Sequence, residues 1–127
     1  MRFIQKLFDK LISIKMNRKL ISQRDKLILS KMKNLISKEF AIEKIIFFGS
    51  RAKGKAKKFS DYDILVITTN DLNWQQKRRI SDLTLNIDLE FDVIIDIKIC
   101  SKNDIENYIL EQTPFMQIVL SEGFLYE

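Results

Sequence analysis

Apolar residues recur along this chain with two periods, and the points where the period changes divide it into elements. Between residues 1 and about 16, Phe3, Ile4, Leu7, Phe8, Leu11 and Ile12 fall at helical spacing, while Arg2, Lys6, Asp9 and Lys10 fill the rest of the wheel. A second helical pattern from Lys19 to Glu39 sets Ile28, Met32, Leu35 and Ile36 on one stripe with lysines and arginines outside. The β-branched and aromatic run Ile42 to Phe48 predicts a buried strand, and Ile64-Leu65-Val66-Ile67 predicts another. Asn70 and Asp71 mark a turn; Asn73 or Asp71 can cap a helix through about Ile87, with Trp74, Ile80, Leu83 and Ile87 inward. From Leu89 to Ile99 every odd-numbered residue is apolar, whereas Glu90, Asp92, Asp96 and Lys98 lie on the even face, which predicts a third strand with one packed side. Ser101-Lys102-Asn103-Asp104 is a capping box opening a short helix with Ile105, Tyr108 and Ile109 on its buried side. Thr113-Pro114 opens the last helix, with Phe115, Ile118 and Val119 inward; Gly123 stops it before Phe124-Leu125-Tyr126, a short strand or a packed tail.

That order of elements predicts an α/β sandwich around a small mixed sheet. No repeat, linker or low-complexity tract interrupts it, and 127 residues suit one compact unit, divided as N-terminal helices over 1–39 and the domain proper over 40–127. The amphipathic N-terminal helix is a docking candidate, for the domain itself or for a partner, in preference to a membrane surface.

Charge and composition narrow the chemistry. A formal net charge of +5 makes an anionic partner reasonable without separating nucleotide from nucleic acid. The complete absence of histidine excludes histidine-based nucleophilic catalysis and a His-containing zinc site. One cysteine, Cys100, allows no internal disulfide and suits a reducing, cytoplasmic setting. No apolar run approaches the roughly 18 residues of a membrane span, and Lys6, Asp9 and Lys10 interrupt the N-terminus too early for a secretory signal. There is no Gly-x-Gly-x-x-Gly, no Walker-A lysine pattern and no Cys-x-x-Cys.

The candidate chemistry lies between the first two strands. The first delivers Gly49-Ser50 to a turn, where the missing Cβ of Gly49 would let a phosphate approach the backbone and Ser50 adds a hydroxyl. After ten intervening residues comes Asp61-Tyr62-Asp63, whose two acids, two apart on a strand, aim the same way. Such carboxylates repel one another unless cations sit between them, and a pair of Mg²⁺ ions is the arrangement used for in-line nucleotidyl displacement. Arg51 or Lys53 would neutralise a triphosphate; Lys55, Lys57 and Lys58 read as ordinary loop solvation, and Gly54 as a turn residue.

Phe47-Phe48-Gly49-Ser50-Arg51-Ala52-Lys53-Gly54 followed by Ser60-Asp61-Tyr62-Asp63-Ile64-Leu65-Val66 resembles the signature block of the DNA polymerase β-like nucleotidyltransferases, and among them the minimal nucleotidyltransferases that accompany HEPN-domain toxins. The similarity runs loosely from about Phe40 to Tyr126, and Lys53 stands where the family often has arginine, keeping the charge but losing the planar fork. The resemblance implies a polymerase β-like palm, to which the N-terminal helix is extra and outside the resemblance, ATP or another NTP as substrate on two Mg²⁺ ions, and phosphates held by Gly49, Ser50, Arg51 and Lys53. It also implies a third carboxylate on the third strand, completing a metal set with Asp61 and Asp63. Asp92 and Asp96 share a face but lie about 13 Å apart along a strand, so only one can serve. Asp92 matches the family's Val-Asp-Leu-Val-type segment and is chosen over Asp96, Glu90 and Asp88, with Asp96 read as solvated strand face. The activity implied is transfer of AMP to a hydroxyl, a tyrosine on a HEPN-type partner, in a hetero-complex or oligomer, with nucleic acid a less favoured partner. A catalytically idle module that neutralises its partner by docking is the competing reading.

Overall fold

The computed structural model describes residues 22–49, 61–111, 113–122 and 124–126, with side chains to 107 and from 113 to 119. The expected N-terminal helix, Ser50, the expected loop over 51–60 and Gly123 lie outside the described residues. The elements are α1 (Gln23–Ser37), β1 (Ile42–Phe48), β2 (Tyr62–Thr68), α2 (Trp74–Phe91), β3 (Ile95–Ser101), α3 (Lys102–Glu111), α4 (Pro114–Glu122) and β4 (Phe124–Tyr126). The strands form one mixed sheet in the order β3-β2-β1-β4. β1 runs antiparallel to β2 and to β4, with Phe48 opposite Asp63, and β2 runs parallel to β3, with Tyr62 opposite Ile95 and Asp63 opposite Asp96.

Strand alternation sorts the side chains into two cores. Ile45 and Phe47 of β1 join Tyr62, Ile64 and Val66 of β2 and Ile95 of β3 against Ile28, Leu29, Met32 and Ile36 of α1 and Ile80 and Ile87 of α2. The complementary set, Ile46, Phe48, Leu65, Ile67 and Cys100, packs against Ile105 of α3 and Met116 and Val119 of α4. Each such apolar side chain, fully buried, contributes about 1.5–3 kcal/mol, so both faces of this small sheet must stay covered. The expected boundary near residue 40 therefore falls in the turn between α1 and β1, and α1 shares its core with the sheet. No helix among the described residues is long and apolar enough to cross a membrane.

The main departure from the sequence reading is the third strand. The chain from Leu89 to Phe91 is still helix, and β3 begins only at Ile95. Leu89, expected inward on a strand, is 75% exposed on α2, and Trp74, expected inward on the helix, is 67% exposed. Helical spacing of Ile80, Leu83, Thr84 and Ile87 carries α2 through Phe91, where α1 closes over its end: Arg24 donates to the Phe91 carbonyl, Lys31 lies over the Phe91 ring at 5.2 Å and bonds Glu90 at 2.6 Å. In α4, Met116 takes the buried place expected for Ile118, which is exposed.

Local signals fix the helix starts. Asn73 and Gln76 form a reciprocal capping box, as do Ser101 and Asp104, and the Thr113 hydroxyl accepts from the Met116 amide ahead of Pro114. At the start of α1, Ser22 caps the Asp25 amide while the buried Asp25 carboxylate accepts a hydrogen bond from the Tyr62 hydroxyl. Tyr62 also stacks on Phe47 at 6.0 Å. This contact pins the first residue of β2 to the first turn of α1. Tyr62→Phe would deprive a buried carboxylate of a donor, and we expect a loss of about 1–3 kcal/mol in urea-denaturation stability with the fold retained.

Candidate active site

The side-chain parity that buries Tyr62 in one core sends Asp63 to the other face, among Leu65 and Ile67, at the end of the strand. Asp61 directly precedes β2 and is exposed; Asp63 is half-buried. In register, Asp63 is flanked by Phe48 on β1 and Asp96 on β3. Gly49, next after Phe48, has φ +81°, and a Cβ there would collide with the Asp63 carboxylate, standing 3.0 Å from its Cγ and 3.2 Å from its Cβ. The glycine thus gives the chain the left-handed backbone it needs to leave β1 and gives Asp63 room. The space left by the missing Cβ, expected to let a phosphate approach the backbone, borders the Asp63 carboxylate.

Burial first, then the neighbouring charges of Asp96 and Asp61, hold the Asp63 carboxyl above its ordinary value, and Lys98 pulls in the opposite direction. Lys98, two residues beyond Asp96 on β3, lies 3.5 Å from its carboxylate. Among the described residues, the cluster is therefore short of positive charge. Hard carboxylate oxygens converging from two adjacent strands are the donor set that Mg²⁺ accepts, and a divalent cation would relieve the repulsion around Asp63. Among the described residues, no three His, Cys, Asp or Glu side chains are close enough as they stand to cage one ion. Closure would require side-chain rotation, which the half-exposed Asp96 and exposed Asp61 can make.

Asp92, expected as the third carboxylate on a strand, is instead the C-cap of α2, with φ 53° and ψ 54°. It precedes β3 by three residues, on a turn rather than in the ladder, and the acids acting on Asp63 are Asp96 and Asp61. Asp96, read as a solvated strand face, is the residue that stands in register with Asp63. The other two acids weighed for the position have other tasks: Asp88 accepts from the Ile95 amide at 3.2 Å, and Glu90 pairs with Lys31. Of the expected phosphate-binding residues, Gly49 stands beside Asp63, while Ser50, Arg51 and Lys53 lie outside the described residues. Burial pushes the Cys100 thiol up to about 12, so it is inert at neutral pH.

A family model described as "Polymerase beta, Nucleotidyltransferase" matches residues 30–123. No characterised protein matches the chain significantly by sequence. Among solved structures, one described as "Crystal structure of the toxin-antitoxin with AMP-PNP" superposes with a TM-score of 0.51 and 18% identity, over 78% of this chain and 69% of that one, a likeness of fold.

The electrostatics give a signed expectation. A folded-state carboxyl held above its unfolded value costs stability once ionised; the cost is fully present above the folded value and disappears as pH falls below the unfolded one. Asp63→Asn should therefore melt higher than the wild type at neutral pH without metal, the difference closing as pH falls through the carboxylate range. At Asp92 the relevant quantity is backbone strain: Asp92→Gly suits the left-handed cap and should raise denaturation stability by roughly 0.5–1 kcal/mol.

Proposed function

Since the chain belongs to the polymerase β nucleotidyltransferase family, we propose that it transfers a nucleoside monophosphate, AMP from ATP, to the hydroxyl of a tyrosine on a HEPN-type partner toxin, acting as the antitoxin of the pair. The observation that carries this reading is the alignment of Asp63 with Asp96 across β2 and β3, with Asp61 one step ahead, beside the turn at Gly49. The solved relative in fold is a toxin-antitoxin captured with AMP-PNP, which supports the choice of partner and nucleotide.

In this reading Asp61, Asp63 and Asp96 hold two Mg²⁺ ions, with Asp96 in the position first given to Asp92. Bound Mg²⁺ supplies positive charge for the triphosphate and lowers the barrier to displacement at the α-phosphorus. The chain's own part is largely positional. Tyr62, buried under α1, fixes where the two neighbouring acids begin; the apolar Phe48 and Leu65 lower the effective dielectric around Asp63, so that its attraction for a cation is stronger; Asp96 would accept the proton of the attacking hydroxyl, consistent with its half-exposed position. Ser50 and the Gly49 turn hold phosphate oxygens, and Arg51 and Lys53 add charge to the leaving pyrophosphate.

Docking without turnover is the second reading. It is favoured by the absence, among the described residues, of a ready-made acidic cage, and by the engagement of Asp96 with Lys98.

One experiment separates them. Incubating the protein with labelled ATP, Mg²⁺ and the product of the adjacent gene should label that partner. Asp63→Asn and Asp96→Asn should each lower the rate by about 10²-fold or more, as losing some 3 kcal/mol of transition-state stabilisation implies, while Asp92→Asn stays within about twofold. Transfer undiminished in Asp63→Asn would sink the enzymatic account, and neutralisation of the partner without any transfer would establish the docking one.

A further inference from the structure

The carboxylate cluster contains a cation of its own. Lys98 shares with Asp96 the solvent-facing side of β3, because residues two apart on a strand point the same way. Its ammonium lies 3.5 Å from Asp96 Oδ1, and it is the cation that opposes the rise of the Asp63 carboxyl. Its register partner on β2 is the buried Leu65, two residues beyond Asp63.

We propose that Lys98 is an internal, displaceable counter-cation of the acidic cluster, competing with a divalent ion for Asp96 and so weakening metal binding in the absence of nucleotide. The proposal rests on the reading of Asp61, Asp63 and Asp96 as metal ligands. Magnitudes favour a competitor over a structural brace. The two side chains are 54% and 47% exposed, and a pair so solvated stabilises a fold little. The same solvation lets the ammonium swing aside at small cost, so a divalent ion can enter, but only against a lysine already neutralising one of its ligands. The empty protein is thereby spared part of the repulsion among its acids, and a strong static site for free metal is avoided. An incoming triphosphate, itself anionic, offers the displaced ammonium a new partner.

The test is a Mn²⁺ titration of the full chain without nucleotide, followed by the loss of the free-ion electron paramagnetic resonance signal. Lys98→Met keeps the stem and removes the charge, and should tighten Mn²⁺ about three- to tenfold, the effect of removing a solvent-screened positive charge near a divalent ion. Lys98→Arg should stay near wild type. Lys38→Met, which removes the same charge at the C-cap of α1, should leave the affinity unchanged, and in an Asp96→Asn background Lys98→Met should have no effect. Unchanged or weaker Mn²⁺ binding in Lys98→Met, with wild-type binding still dependent on Asp61 and Asp63, overturns the role of Lys98 alone. Wild-type binding indifferent to Asp61→Asn and Asp63→Asn overturns both this role and the metal-site reading beneath it. Because Lys98 is exposed, the variants should fold, and coincident thermal melts in circular dichroism with metal absent confirm that affinity alone is compared.

Discussion

A carboxylate held half-buried beside two others is the constraint around which this molecule is built. Asp63 sits on the side of β2 that is otherwise apolar, flanked by Phe48, with Leu65 and Ile67 further along the same side of the strand and Asp96 in register across the next one. Such a position is unfavourable for a charge, and its desolvation is the largest influence on the group. It persists because the surroundings fix it: the chain cannot move Asp63 without moving β2, whose other face is locked into the α1/α2 core. The cluster stands at the strand ends, where Asp61 and Asp96 retain contact with water. Deeper in the sheet the same three charges would lack that solvation, and the cost would rise toward that of unpaired buried ions.

The middle residue of the Asp-Tyr-Asp triplet does the fixing. Alternation sends Tyr62 to the opposite face, where it stacks on Phe47 and bonds Asp25 at the capped start of α1. The acids and their anchor thus belong to one short run of backbone, with chemistry on one side and attachment on the other. Gly49 completes the arrangement from β1, since any side chain there would occupy the place of the Asp63 carboxylate. Its identity answers to a protein group, whatever further use its open backbone has for a phosphate.

Much of this was legible in the sequence because short-range rules governed it. β1 was read with its limits correct to the residue, and the Asn73 cap, the Ser101–Asp104 capping box and the Thr113-Pro114 start follow from side chains that satisfy orphan amides within three residues, although the sequence left Asp71 open beside Asn73. That the charge of Asp61 acts on Asp63 follows from their spacing of two, although Asp61 stands just ahead of the strand. The start of the third strand was misplaced for a definite reason. Between Ile87 and Phe91 the chain satisfies both periods, since Ile80, Leu83, Thr84, Ile87 and Phe91 suit a helix while Leu89, Phe91, Val93 and Ile95 suit a strand. Packing of α1 against the end of α2, a long-range contact, settles it for the helix. The even face was the right one, and the error lay only in how far along the strand its start was set. Counting back from the cap at Ser101 would have placed the strand start near Ile95, and with it Asp96 beside Asp63.

The same displacement changes the electrostatic character of the site. On a strand beginning at Leu89, the chosen acid, Asp92, would have had neutral or acidic neighbours on its own face, Glu90 on one side and Ile94 on the other. Asp96 on the strand as it folds has Lys98 instead, one step further on the same side. Among the described residues the cluster is then three carboxylates and one ammonium rather than a bare triad, and with both Lys98 and Asp96 about half exposed, that ammonium is held by solvent-weakened attraction rather than by packing. A cation so loosely held is one that a more highly charged cation would replace.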